Sequence, residues 1–304
     1  MVAHLLAVLL CCAAAVPGLL GAAVTCDAGD VTAAVNFAVH HINEHHKHGF
    51  KFKLLEVQSS TYEQGEGGCS IDINMNLMQS QCHVTNPKPE DQCEFMMQSE
   101  RGAVATCNAK LYVMGVEARV ISHNCITKPE LTNAEMMADC PDCPTLLPLN
   151  DMTGVQAVRE AVKKFNLESN HQNYFALMEI SLLTSGYIPS VGMITWPKFV
   201  LVETVCPKHS RIVPEACSPR CPDRAHHVFC KTSYSHGTAQ VGELQCELYL
   251  PRNTDPLPIG VQEPTCGSFH DSPEGAACTA LLTTHEPAIH QICPFPLAVP
   301  LQQA

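Results

Sequence analysis

Two spacings of apolar residues alternate along this chain. Val31, Ala34, Val35, Ala38 and Ile42 recur at the 3.6-residue interval of a helix, with Asp30 placed to cap its start. Val155, Val158, Val162 and Phe165 repeat the arrangement later. Strand-like segments follow each helix: 50–60, 71–77, 103–110 and 112–123 after the first, then 174–183, 195–205, 228–235 and 241–250. Gly65-Glu66-Gly67-Gly68 and Asn86-Pro87-Lys88-Pro89 interrupt the first set as turns or loops. A helix followed by antiparallel strands, twice over, predicts an α+β protein in which each sheet covers one helix.

The cysteines carry the same duplication. Cys82 and Cys93 recur as Cys206 and Cys217, both 124 positions on, and Cys107 and Cys125 recur as Cys230 and Cys246, shifted by 123 and 121. The run opening at Val31 matches the run opening at Val155, again at an offset of 124. Two copies of a unit of about 110 residues follow, a normal domain size. The expected division is 24–136 for the first domain, 137–144 for a linker and 145–250 for the second. From Pro251 the periodicity fades, so 251–304 is expected to be irregular, anchored by Cys266, Cys278 and Cys293.

The first 23 residues read as a secretory signal: an apolar run from Leu5 to Ala15, then Pro17-Gly18 and the small residues Gly21-Ala22-Ala23. Two of the 18 cysteines, Cys11 and Cys12, fall there and leave 16, an even number. In a secreted chain that density reads as a disulfide framework. Zinc ribbons need paired CxxC elements, and Cys140-Pro141-Asp142-Cys143 stands alone. A net charge of −12 excludes nucleic acid and anionic membrane as expected partners. The chain has no N-x-[ST] sequon. The expected localisation is extracellular.

Three stretches carry a resemblance: Cys82-His-Val-Thr-Asn-Pro87, the linker Cys140-Pro-Asp-Cys-Pro144, and Leu147-Pro-Leu-Asn-Asp151 before the second helix. They are similar to the fetuin family, whose members have two tandem cystatin-like domains and a variable C-terminal region, and the resemblance covers most of 26–250. The stretch from Leu147 looks more like the fetuin-A side of that family, and the linker occurs on both sides. The resemblance implies disulfides Cys82–Cys93, Cys107–Cys125, Cys140–Cys143, Cys206–Cys217 and Cys230–Cys246, with a long clasp between Cys26 and Cys293. It leaves Cys69, Cys221, Cys266 and Cys278 without assigned partners.

No catalytic constellation stands out, and no cofactor is expected. His41-Ile-Asn-Glu-His45 formally matches the H-x-x-E-H pattern of zinc peptidases, but it closes a short helix needed for the core and lacks a third ligand. The wider cluster His40, His41, His45, His46 and His48 reads either as a solvated helix end or as an adventitious Zn²⁺ or Cu²⁺ site. Neither repeat contains the Q-x-V-x-G hairpin by which true cystatins block papain-like enzymes, and Trp196-Pro197 reverses their Pro-Trp order.

Cys140, Pro141, Asp142, Cys143 and Pro144 would form a small, proline-braced ring. Such a loop loses little entropy on docking. A redox CxxC lacks its βαβ context here, and a plain spacer between domains is the bland alternative. In fetuin-B-like proteins this loop enters the cleft of astacin-type metallopeptidases and its Asp caps the zinc, a role that falls on Asp142. In fetuin-A-like proteins an acidic strand binds calcium. The matching stretch, Ile71 to Gln79, keeps only Asp72 charged, with Asn74, Asn76 and Gln79 at the other positions. The reading is a binding protein: an inhibitor of an astacin-type metallopeptidase or, alternatively, a calcium-phosphate chaperone.

Overall fold

The computed structural model describes residues 23–27, 31–210, 212–267, 272–282 and 287–297. The expected signal, through residue 22, and the expected cap Asp30 lie outside the described residues.

The first domain is one helix held in a four-stranded meander. Helix α1 (Thr32–His45) is followed by β1 (Phe50–Gly65), β2 (Gly68–His83), β3 (Ala103–Met114) and β4 (Glu117–Pro129), all antiparallel in the order β1-β2-β3-β4. Strand β2 buries Cys69, Ile71, Ile73, Met75 and Leu77 on one face, against Ala34, Val35, Ala38, Val39 and Ile42 of α1. Each large apolar side chain so buried contributes roughly 1.5–3 kcal/mol. The third strand runs on past the expected break at 111 and turns only at Gly115, whose φ of 61° suits a tight turn.

The second domain repeats this with a broken edge. After α2 (Asn133–Asp139) and the short β5 (Thr145–Leu146) come helix α3 (Met152–Glu168), β6 (Asn173–Ile188) and β7 (Gly192–Pro207). The expected strand 228–235 divides into β8 (His227–Lys231) and β9 (Tyr234–Ser235), and 241–250 divides into β10 (Gln240–Val241) and β11 (Gln245–Tyr249). The break falls where the Thr232 hydroxyl donates to the Glu243 carbonyl at 2.9 Å and Gly242 N–H to the Ser233 carbonyl at 2.8 Å. These bonds replace the ladder.

One buried amide in each domain ties helix to sheet. Asn43 donates to the carbonyls of Val39 (3.1 Å) and Phe52 (2.8 Å) and accepts from Phe52 N–H (2.8 Å). Asn166 does the same with Val162 (3.2 Å) and Phe175 (2.9 and 2.9 Å). These partners are 123 residues apart, as are the buried pairs Ala34 and Ala157, Val35 and Val158, Ala38 and Ala161. The helices therefore repeat at 123, one less than the 124 read from Val31 and Val155, and the extra residue enters before Cys206.

The region after Pro251 is more ordered than expected. It contains helix α4 (Pro273–Leu282), and its 287–297 segment lies between the two domains. Leu149 N–H donates to the Pro287 carbonyl at 2.8 Å, His290 contacts the Ile180 carbonyl at 2.8 Å, and His48 contacts the Gln291 carbonyl at 2.8 Å. Ala288 packs with Phe50, Met96, Leu146 and Leu182 from both domains, and Ile292 is buried in the first core. The joint also holds Glu179, buried, which accepts from Gly49 N–H (2.7 Å) and pairs with His83 Nε2 (2.5 Å). Lys198 bonds Glu100 across the same joint at 2.9 Å. Burial alone would raise the Glu100 carboxyl, but Lys198 outweighs it and holds the group below its usual range.

The structure carries disulfides Cys82–Cys93, Cys107–Cys125, Cys140–Cys143, Cys206–Cys217 and Cys230–Cys246. The clasp Cys26–Cys293 implied by the family resemblance is absent. Cys26 bonds Cys69 at the start of β2, with Cα atoms 5.8 Å apart, and Cys293 bonds Cys278 of α4 at 5.7 Å. Each thus pairs with a cysteine at bonding distance. Cys221–Cys266 fastens the first part of the tail to the second domain.

Candidate functional site

The linker ring is held at both shoulders. On its N-terminal side, α2 begins with a reciprocal cap: Thr132 Oγ1 accepts from Glu135 N–H (3.2 Å), and Glu135 accepts from Thr132 N–H (2.8 Å). That bond to the Thr132 backbone holds the Glu135 carboxyl below its ordinary range. On the C-terminal side, β5 pairs with β6 through Thr145 opposite Ser185 and Leu146 opposite Thr184. Asn133 joins the shoulders, accepting from Leu146 N–H (2.8 Å) and donating to the Leu146 carbonyl (3.0 Å). Arg101 of the first domain donates to Asn133 Oδ1 (3.0 Å) and to the Leu131 carbonyl (3.0 Å).

Between the shoulders the chain makes one turn. Cys140 N–H donates to the Met136 carbonyl (2.7 Å) as the helix ends, and Cys143 N–H donates to the Cys140 carbonyl (3.1 Å). The disulfide Cys140–Cys143 spans that turn, and Pro141 and Asp142 at its apex are exposed. The Asp142 carboxylate makes no hydrogen bond or ion pair among the described residues. Cys143 and Pro144 are half-buried, and Pro144 lies 3.8 Å from where a Cβ on Gly186 would stand. The Trp196 indole lies 3.2 Å from the same point, so any side chain at 186 would press on it. The ring therefore stands beside the β6–β7 hairpin tip, where Tyr187, Ile188, Val191 and Met193 are exposed.

Sequence reading singled out the ring but not Asn133 or the hairpin tip. The Thr132-x-x-Glu135 cap was legible as a pattern. The clamp from Asn133 to β5 was not, because it joins residues that only the fold brings together.

Asp72 lies on the outward face of the first sheet, where Lys110 stands opposite it with Nζ 3.6 Å from the carboxylate. Asn74 and Asn76 share that face, and their amides are used across strands: Asn74 with Ser59 and Asn108 (3.0 Å each), Asn76 with Glu56 (2.7 Å) and Thr106 (3.0 Å). Gln79 is not on this face. It is buried and accepts from Ala103 N–H at 3.0 Å. The face thus presents a cross-linked amide ladder in which Asp72 is paired with Lys110 and Glu56 accepts from Asn76.

The expected histidine cluster divides in two. His46 and His48 turn inward, and burial pushes the His46 imidazole well below its usual value. His41 and His45 stay together at a ring separation of 4.0 Å, and His123 of β4 joins them. Burial, then the neighbouring His45, His123 and His40, lowers His41 to about 4. Burial lowers His123 to about 4 as well. His40 instead pairs with Glu90 at 3.1 Å.

Comparison with known proteins places the fold. Residues 30–125 match a family model described as cathelicidins. Alpha-2-HS-glycoprotein from Bos taurus is 30% identical over 210 residues, covering 68% of this chain and 56% of that protein. The chain thus spans little more than half the length of that relative. Two solved structures share the architecture: mouse fetuin-B (TM-score 0.60, 19% identity, 76% of this chain and 71% of that chain) and mouse fetuin-B in complex with crayfish astacin (TM-score 0.58, 21% identity, 74% and 72%). These matches and the two helix-in-sheet units define a tandem cystatin-fold protein. Within that class the chain is homologous to alpha-2-HS-glycoprotein (fetuin-A), and it shares the fold of mouse fetuin-B. Among the described residues no helix is long and apolar enough to cross a membrane, and the disulfides fit an oxidising, extracellular setting.

Proposed function

We propose that this chain is a secreted endopeptidase inhibitor that docks the ring Cys140–Pro144 into the cleft of an astacin-type metallopeptidase. It works by binding, with no chemistry of its own. The observation that carries the reading is the state of Asp142: an exposed carboxylate without a partner among the described residues, at the apex of a covalent ring whose two shoulders are clamped by Asn133. A carboxylate oxygen is an acceptable fourth ligand for a catalytic zinc, where it displaces the water that would attack substrate. Because the loop is already ordered, little conformational entropy is lost on docking. The exposed apolar tip of the β6–β7 hairpin offers contact area beside it. Mouse fetuin-B, which shares the fold, has been solved in complex with crayfish astacin, and that supports the choice of target class.

A calcium-phosphate role is less well supported, since Asp72 is paired with Lys110 and the neighbouring amides are occupied. The deciding experiment titrates the purified protein against an astacin-type enzyme, alongside a calcium-phosphate precipitation assay. Inhibition by the wild type that weakens several-fold to a few hundred-fold in Asp142→Ala, about 1–3 kcal/mol, supports the proposal. No inhibition at micromolar protein sinks it.

A further inference from the structure

We infer that His41, His45 and His123 form a binding site for a borderline divalent cation, Zn²⁺ or Cu²⁺, on the first domain. Two of the three are one helical turn apart near the end of α1, and the third comes from the neighbouring strand β4. Their ring centroids are 4.0 Å (His41 to His45), 5.6 Å (His41 to His123) and 6.3 Å (His45 to His123) apart. At these separations the three imidazoles are immediate neighbours, and a shared ion with bond lengths of about 2.0–2.1 Å would draw their nitrogens together.

Hydrogen bonding has already set the tautomers that ligation needs. His45 Nδ1 faces the His41 carbonyl at 2.8 Å, and His123 Nε2 faces the Cys293 carbonyl at 3.1 Å. A carbonyl only accepts, so each of these nitrogens carries the proton. The lone pairs are then on Nε2 of His45 and Nδ1 of His123. Metal-bound histidines are commonly oriented by this kind of backbone bond from the second nitrogen. His123 Nδ1 and His41 Nε2 are both buried, and neither has a hydrogen-bond partner. Buried polar nitrogens normally find partners, and a shared cation would engage both.

The surroundings suit a closed pocket with one open side. Phe295 lies against all three rings, at 4.7, 4.5 and 5.7 Å, and its backbone pairs with His123 in both directions (2.8 and 2.9 Å). It fixes β4 and excludes water from that side. His45 is exposed and leaves an approach for the ion and for a water in the fourth position. Imidazole ligands without a carboxylate favour Zn²⁺ or Cu²⁺ over Ca²⁺ or Mg²⁺.

The test is calorimetric titration of the full chain with Zn²⁺, comparing wild type with single alanine variants at 41, 45 and 123, and with His209→Ala as a distant control. Three-point ligation predicts at least a ten-fold loss of affinity in each of the three and none in the control. His123→Ala is the sharpest arm, because it keeps the turn-spaced pair. If it binds Zn²⁺ as the wild type does, the site is only an adventitious helix pair and the inference is wrong. X-ray absorption on the zinc-loaded wild type avoids any question of variant folding. A shell with three imidazoles supports the site, and two or fewer overturns it.

Discussion

The two domains place the same clamp at the same point and then diverge around it. Asn43 and Asn166 each hold a helix to the first strand through the backbone of Phe52 or Phe175, over matched alanines. Outside that framework and the two repeated disulfides, little is shared. The first domain keeps an unbroken third strand and closes its β1–β2 hairpin with Glu66-Gly67, carrying no apolar residue. The second breaks its edge into short strands and carries Tyr187, Ile188, Val191 and Met193 at the corresponding tip. It also adds β5, which fastens the ring. The helix-to-strand clamp specifies the fold, so the sheet ends and hairpin tips are free to differ. In the second domain those ends carry the candidate site.

The largest expected effects test whether the shared parts are equivalent. Replacing Cys82 and Cys93, or Cys206 and Cys217, by serine opens loops of the same separation, 11 residues. Each pair should cost about 3 kcal/mol in denaturant unfolding. Markedly unequal losses would break the comparison. Asn43→Ala and Asn166→Ala should each cost about 2 kcal/mol, because a buried N–H and a carbonyl of the facing phenylalanine lose their partner. If only one is damaging, the clamps are not equivalent.

A smaller effect isolates a difference. Where the first domain has Val104 on β3, the second has buried His227 on β8, again 123 positions on. Burial, then the charges of His83 and Arg252, lowers this imidazole from 6.5 to about 4. Between those values the unfolded chain binds the proton more readily than the folded one. Stability from this group is therefore complete above pH 6.5 and falls as the pH drops toward 4. By pH 5 the loss should reach about 1–2 kcal/mol, and His227→Val should remove that part of the pH dependence of the unfolding midpoint. The smallest effect concerns helix starts. Asp151 caps α3 by accepting from Thr153 N–H (3.0 Å) and Gly154 N–H (2.9 Å), whereas the cap position of α1 is Val31, with no side-chain bond. Asp151→Ala should cost about 1 kcal/mol, read as a lowered melting temperature.

Periodic features were legible in the sequence. The two helix faces, the Gly65–Gly68 turn and the repeated cysteine intervals are local patterns, and each reports local geometry. The offset of the helices was misread by one because Val31 and Val155 look alike but do not occupy equivalent places; the buried alanines and Asn43 carried the true frame. The tail was opaque for a different reason. Ala288, Ile292 and Phe295 each enter a different cluster, so no repeat of apolar residues marks them. The candidate ring is contiguous and could be read directly. Its clamp, its hairpin neighbour and the meeting of His41 with His123 depend on chain topology, which spacing alone does not encode.

The position of Ile292 bears on how the molecule is made. Protein chains emerge from the ribosome N-terminus first, and domains generally fold in that order. Here the first core holds a residue from near the end of the chain, Ile292, whose N–H donates to Thr127 Oγ1 at 3.2 Å. The N-terminal unit can collapse around α1 during synthesis, yet a gap in its wall stays open until the segment around Ile292 leaves the exit tunnel. Final consolidation of the oldest part of the nascent polypeptide therefore waits for a segment made 165 residues after Thr127.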